Sequence, residues 1–331
     1  MKTHKNSKNH LGKPLSVFSV FHHRRTVVYT TFKNPENPSV FSVCSVVYPT
    51  LNKTAIFLLL LFTLTATSCR PQVPVTDHLH VVEKGSSTFY ILGSMHLGKG
   101  MVLSDTVKKV IEGVDEVVFE IDMKEMTDQK AAAKLLPLMM LPEGKSLEDI
   151  YSPEKVVALK NKYKKAGVAW MLVQNQKPLF GAMTAIGIAA MKQGLQADKG
   201  TEFLVYEHSE KFKKPTSGFE SMEYQISLFD SVDYDTQYKI TISTLDQLDS
   251  LKGDLSELLA AFQSGDAGEL EKFLKSDMGA GQEIFNRVFL VNRNKNWAEK
   301  IERLSKTGKK YLVVVGAAHL VGEGSLLEWL R

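Results

Sequence analysis

YLVVVGAAHLVG (311–322) and TFYILGSMHLGKG (88–100) follow one plan: an apolar run, a glycine, two small or slim residues, and a histidine. Unbroken apolar runs of this length read as strands covered on both faces, the pattern of a parallel sheet held between helices. Gly93 and Gly316 end those runs. A residue without Cβ there lets the backbone turn off the strand or pass close to a neighbour. His96 and His319 then follow at the same Gly-x-x spacing and face back over the strand ends.

Outward from these two stretches, apolar runs alternate with helical patterns. HLHVVEKG and SSTFYILGS make a hairpin about a polar glycine turn. SDTVKKVIEGV is a short helix capped by Ser104 or Asp105, and DEVVFEIDM is a third strand. Residues 124–196 are mostly helical, punctuated by Pro137, Pro142, Pro153 and Pro178. PTSGFES is a short strand, and the stretch to about 245 has no single period. DLSELLAAFQSGDAGELEKFLKSD is two helices about a Ser-Gly-Asp turn, and EIFNRVFLVNRNKNWAEKIERLSKTG is one long amphipathic helix ended by Gly308. The expected fold class is therefore α/β: a mixed, largely parallel sheet covered by helices, with a helical insertion over the mouth at the strand C-termini. LFGAMTAIGIAAM (179–191) is too short for a membrane span and is expected to be a buried or groove-lining helix.

The first seventy residues differ in kind from the rest. They hold nine Lys or Arg against one acid, a charge of +8, which leaves 32 basic and 36 acidic residues, or −4, for residues 71–331. The overall +4 thus implies no nucleic-acid partner, since the folded part carries no basic stripe. KTAIFLLLLFTLTATSC (53–69) reads as a signal-sequence apolar core with a lipobox-like processing site at Cys69. The domains expected are an extension over 1–50 that is non-native or disordered, a signal peptide over 51–69, a tether over 70–77 and an α/β domain over 78–331. Leu51 would then be the true first residue. The only other cysteine is Cys44, so the processed domain has no disulfide framework and no cysteine nucleophile. These features point to an exported lipoprotein of the bacterial cell envelope, held to the membrane through Cys69.

Most of the chemically interesting side chains fall at strand C-termini, where ligands of open α/β sheets bind. Glu120 and Asp122 end EVVFEID, Glu220 ends PTSGFES, and the two histidines end their own strands. Neutral imidazoles with carboxylates suit a borderline divalent cation, and a carboxylate also serves as general base. Arg293, just before the run Trp297, Ile301, Leu304, points at the same mouth if its helix packs on the last strand. A single Gly-x-x-His says little, because a packed structural histidine fits it equally; the matched contexts favour the pair. Glu120 has its own bland reading, an edge-facing strand residue, and Asp122 and Glu220 fit equally as helix caps. His78, His80 and His208 sit among polar residues and read as surface groups. No Gly-x-Ser-x-Gly elbow, P-loop, Rossmann fingerprint or His-Glu-x-x-His pair is present.

GSMH with FEID downstream, KPLFGAM, GTEFL, RNKNWAEKI and VVVGAAHLVGEGSLLEWL, in this order, resemble the TraB/GumN family, which is related to the Tiki metalloproteases. The resemblance implies an α/β fold whose two Gly-x-x-His motifs meet at one site, and divalent-metal-dependent peptide-bond cleavage with manganese or cobalt favoured. The expected cofactor is a divalent metal: manganese, cobalt or zinc. The resemblance also implies His96, His319 and Glu120 as metal ligands and, with Arg293, as the catalytic set. Asp122, Glu202, Glu220 and Asn294 form a second tier. Lys199-Gly200-Thr201-Glu202 departs from the Gly-x-Asp common in relatives, so Glu202 offers its charge on a longer arm. Peptides or small molecules are the expected substrates. Two alternatives stand beside this one: a non-catalytic envelope protein that sequesters a peptide, haem or other small ligand, and a hydrolase of esters or other small molecules.

Overall fold

The computed structural model describes residues 16–22, 25–33, 41–49, 73–75, 78–250, 254–275 and 282–331. The chain divides into two compact units, residues 1–69 and 70–331. The first contains a three-stranded antiparallel sheet, Ser16–His22, Arg25–Lys33 and Phe41–Pro49. The apolar run 55–64 and Cys69 lie outside the described residues.

The second unit is built on a five-stranded sheet. Its strands are β1 (Leu79–Lys84), β2 (Ser87–Ser94), β3 (Glu116–Ile121), β4 (Thr216–Glu220) and β5 (Lys310–Gly316), in the order β1-β2-β5-β3-β4. β1 and β2 form the expected antiparallel hairpin, and every other pairing is parallel. β5 is central, paired with β2 on one side and β3 on the other. This places the ends of the two Gly-x-x-His strands side by side, with Val315 opposite Gly93 and Gly316 opposite Ser94.

Residues 311–315 are 0 or 1% exposed, so both faces of the central strand are covered. Tyr311, Val313 and Val315 share one core with Phe89, Ile91, Val118, Trp297 and Ile301. Leu312 and Val314 share the other with Leu92, Val117, Phe119, Val107, Ile111 and Val205. The period of two thus feeds α1 (Asp105–Gly113) and α2 (Thr201–Lys211) on one face and α3 (Asn292–Leu304) on the other. Ser104 caps α1 by accepting the Val107 N–H.

Between β3 and β4 the chain is helical, as expected, and a separate core about Leu147, Leu159, Tyr163, Val173 and Ala185 holds much of that insertion together. Pro178–Lys192 is one helix with a buried face, and Met183 and Met191 are exposed. Among the described residues no helix is long and apolar enough to cross a membrane. The aperiodic stretch after β4 is also helical, Met222–Ser227 and Tyr234–Ser250 joined by a 3-10 segment.

The expected single helix before β5 is broken. A short α segment, Gln282–Phe285, passes into a π-helical segment, Asn286–Val291, before α3 begins. α3 ends at Leu304, and Gly308, with φ 72°, sits in the turn beyond. His78 is a further correction: it is 4% exposed, stacks on Phe262 and lies 3.0 Å from that residue's carbonyl through Nε2.

Candidate active site

Strand direction alone brings the predicted residues to one edge. Glu120 is the penultimate residue of β3, Glu220 ends β4, and His319 follows β5 in a short 3-10 turn, Ala317–Leu320. α3 crosses beneath them with Arg293 and Asn294 in its first turn, both buried.

Arg293 is the hub. Its Nη2 donates to Glu120 Oε2 at 2.6 Å and its Nε to Glu220 Oε2 at 2.9 Å. Its Nη1 donates to the Phe289 carbonyl at 3.1 Å and lies 3.2 Å from His319 Nε2. The Trp297 ring, one turn along α3, stands 4.6 Å from the guanidinium carbon and 4.4 Å from the His319 ring. A place over an aromatic face and a fixed fork of donors suit arginine and not lysine. Glu120 is held at both oxygens, Oε1 accepting the Gly316 N–H at 2.7 Å.

Asn294 sets the state of His319. Its Oδ1 lies 2.7 Å from His319 Nδ1, and its Nδ2 donates to the carbonyls of Gly324 at 2.9 Å and His319 at 3.4 Å. Because the amide group is committed as donor to two carbonyls, Oδ1 is the atom that faces the ring, and Nδ1 carries the proton. The lone pair is then on Nε2, toward Arg293 and Glu120 Oε1, the latter 3.8 Å away. Burial pushes His319 down to about 4, against the pull of the Glu120 charge. Burial would raise Glu120, but the charges of His319, Arg293 and His96 and the Gly316 N–H outweigh it and hold the carboxyl at about 2.

His96 belongs to a second cluster at the same edge. Its Nδ1 lies 2.7 Å from Glu202 Oε1, which also accepts from the Ser94 hydroxyl. Glu202 sits in the first turn of α2, and the Thr201 N–H donates to the Met95 carbonyl at 2.9 Å. The Glu202 charge, against burial and with its hydrogen bond, raises His96 to about 9. The His96 side chain is nevertheless 71% exposed, so solvent screens part of that pull. The charges of Glu120 and Arg293 also act on it, which puts the two clusters within electrostatic reach.

Not every expectation is met in the form it took. Asp122 is the N-cap of the helix Met123–Thr127, accepting the Lys124 N–H at 3.1 Å, and is not brought into the cluster. Gly93 and Gly316 both lie outside the left-handed region, so their use is close approach and not a turn. A Cβ on Gly93 would stand 2.9 Å from His78 Cβ, and one on Gly316 would stand 3.3 Å from Glu120 Oε1. Three contributors were not singled out from sequence: Ser94, Trp297 and Gln225. Gln225 Nε2 lies 3.2 Å from Glu120 Oε2 and 3.3 Å from Glu220 Oε2. The available signals were the helical spacing of Trp297 from Arg293 and the position of Gln225 one turn after the Ser221 cap.

The donor set fits a divalent cation in kind. Each imidazole has one nitrogen tied to a side-chain oxygen, Asn294 or Glu202, the support that metal-binding histidines commonly have, and Glu120 supplies a carboxylate. His96, raised to about 9, would serve only after giving up its Nε2 proton. The set is not drawn together: among the described residues no three His, Cys, Asp or Glu side chains form a metal-holding group. The Arg293 guanidinium stands between two of the three donors.

Comparison with known proteins agrees with the ordered motifs. A family model described as the TraB/PrgY/gumN family matches residues 78–331. The uncharacterized protein YbaP of Escherichia coli is 24% identical, over 75% of this chain and 89% of its own length. Metalloprotease TIKI1 of Danio rerio is 22% identical, over 80% of this chain and 63% of its own. Metalloprotease TIKI2 of Xenopus tropicalis is also 22% identical, over 73% and 56%. The match thus spans less than two thirds of each Tiki protein. No solved structure matches the chain.

Proposed function

Since the chain belongs to the TraB/PrgY/gumN family over residues 78–331, we propose that it is a metal-dependent hydrolase whose substrates are peptides. The observation that carries this is the convergence of Glu120, Arg293 and His319 at the C-terminal ends of β3 and β5, with the His319 ring held by Asn294. The metalloprotease names of TIKI1 and TIKI2 support peptide bonds over other substrates.

His96, His319 and Glu120 would hold a divalent ion, manganese, cobalt or zinc, and such an ion, when bound, polarises a substrate carbonyl. The chain's own residues supply the rest. Neutral His319 offers the Nε2 lone pair, because its Nδ1–H donates to Asn294 Oδ1. Glu120, ionised through the physiological range, is the acceptor able to take a proton from an attacking water. Arg293 fixes the Glu120 carboxylate in place and balances its charge. Gln225 donates to the same carboxylate oxygen, and Trp297 closes the apolar side, which keeps bulk water from the guanidinium. Export and anchoring through Cys69 belong to the same proposal and fit action on peptides outside the cytoplasm.

The test is a peptide-library digest read by mass spectrometry, with wild type and His319→Ala compared with and without added Mn2+. Cleavage that needs the ion and disappears in the variant supports the proposal. Tight retention of a peptide or haem without turnover under any divalent ion would instead favour a binding protein, and cleavage confined to ester substrates would favour an esterase.

A further inference from the structure

Four acceptors surround the Arg293 guanidinium: Glu120 Oε2, Glu220 Oε2, the Phe289 carbonyl and His319 Nε2. Two of them belong to donors assigned above to a divalent ion. His319 has only one lone pair to give, because its Nδ1 carries the proton and donates to Asn294 Oδ1. Nε2 therefore serves either an ion or the Nη1–H at 3.2 Å, not both. Two positive charges would also repel strongly at this separation in a buried setting.

A guanidinium that leaves Glu120 and His319 needs another anion, since a buried unpaired charge is costly. Glu220 meets that need. Its side chain is 3% exposed, its Oε2 already holds Arg293 Nε, and its Oε1 is buried with no hydrogen-bond partner. A two-pronged arginine-carboxylate pair needs only that second oxygen. Gln225 lies within reach of both carboxylates, so it can remain with Glu120 as the guanidinium withdraws.

We propose that Arg293 is the resident cation of the ion-free site, that it competes with a divalent metal for Glu120 and His319, and that Glu220 receives the guanidinium when the metal binds. The inference rests on the metal-dependent reading given above. It assigns Glu220 a positioning role and not that of a ligand, and it accounts for the guanidinium seated on Glu120 and His319.

Mn2+ binding to the full-length chain, measured by titration calorimetry and by the electron paramagnetic resonance signal of free Mn2+, tests it without recourse to activity. Arg293→Met should bind the ion about tenfold tighter than wild type or better, and Arg293→Lys should lie between the two. Glu220→Gln should bind it about tenfold weaker, because the displaced guanidinium then meets a neutral amide. Glu220→Gln keeps the size of the side chain and the hub arginine, so it decides the matter even if Arg293→Met fails to fold. Wild-type binding that Arg293→Met weakens or leaves unchanged, or that Glu220→Gln leaves unchanged, overturns the competition alone. Absence of Mn2+ binding by wild type and by every variant that folds, Arg293→Met included, overturns the competition and the metal-dependent reading together.

Discussion

Replacing Asn294 by aspartate should raise the pKa of His319, and replacing it by alanine should unseat the ring. Asn294 is 1% exposed and links three groups: His319 Nδ1 at 2.7 Å, the Gly324 carbonyl at 2.9 Å and the His319 carbonyl at 3.4 Å. Alanine takes the side-chain partner from a buried N–H and from two carbonyls, the His319 one only weakly held at 3.4 Å, which costs about 3 kcal/mol. For a domain of this size that lowers Tm by roughly 6–12 °C. Aspartate keeps the shape and puts a charge beside Nδ1. An opposite charge at that range raises a histidine by roughly 1–3 pH units, so His319 should move up from about 4 into the range of roughly 5–7. Nitrogen-15 NMR of the ring reads the tautomer and the titration together. Wild type should show a neutral, Nδ1-protonated ring down to about pH 5, and the Asn294→Asp ring should titrate roughly 1–3 units higher than the wild-type ring. A wild-type ring that titrates near 6.5, or one protonated on Nε2, would refute the assignment of Asn294.

Stability should be greatest near pH 6.5 and fall on both sides. His319, neutral in the fold with a pKa of about 4 against 6.5 when unfolded, contributes stability present above 6.5 and lost as pH falls toward 4; the loss is about 3 kcal/mol. Glu120, held at about 2, contributes stability present above 4.5 and lost as pH falls toward 2. His96, raised to about 9, contributes stability present below 6.5 and lost as pH rises toward 9. Urea unfolding across pH 3–10 reads all three, and a curve flat from pH 4 to 6.5 would contradict the His319 contribution. Gly316→Ala and Gly93→Ala should separate site from fold. The first crowds Glu120 Oε1 at 3.3 Å and should lower activity with a Tm loss of only a few degrees; the second drives a Cβ to 2.9 Å from His78 and should cost about 1–3 kcal/mol. Comparable Tm losses in the two would undo that division.

The sheet was readable because its signals are local. Apolar runs ending in Gly-x-x-His mark β2 and β5, and the period of two in YLVVV matches the two cores it feeds. Glu120, Glu220 and the histidines could be placed at one edge because parallel strands present their C-termini together. What escaped the reading depends on contacts distant in sequence. Nothing near His78 announces that it stacks on Phe262, and Gln225 gains its partners only when β3 and β4 lie side by side. The π-helical break at Asn286–Val291 left the amphipathic pattern of α3 intact, so one long helix was the natural reading. Asp122 carried the same strand-end signal as Glu120, but one further step along the chain puts it at the cap of the following helix.

Crystals grown with Mn2+ and measured at the manganese absorption edge would test the central claim most directly. The account predicts one anomalous peak beside His319 Nε2 and Glu120, within reach of His96, and its loss in His319→Ala. A peak elsewhere, or none with Arg293 still bonded to both Glu120 and His319 at saturating Mn2+, would contradict it.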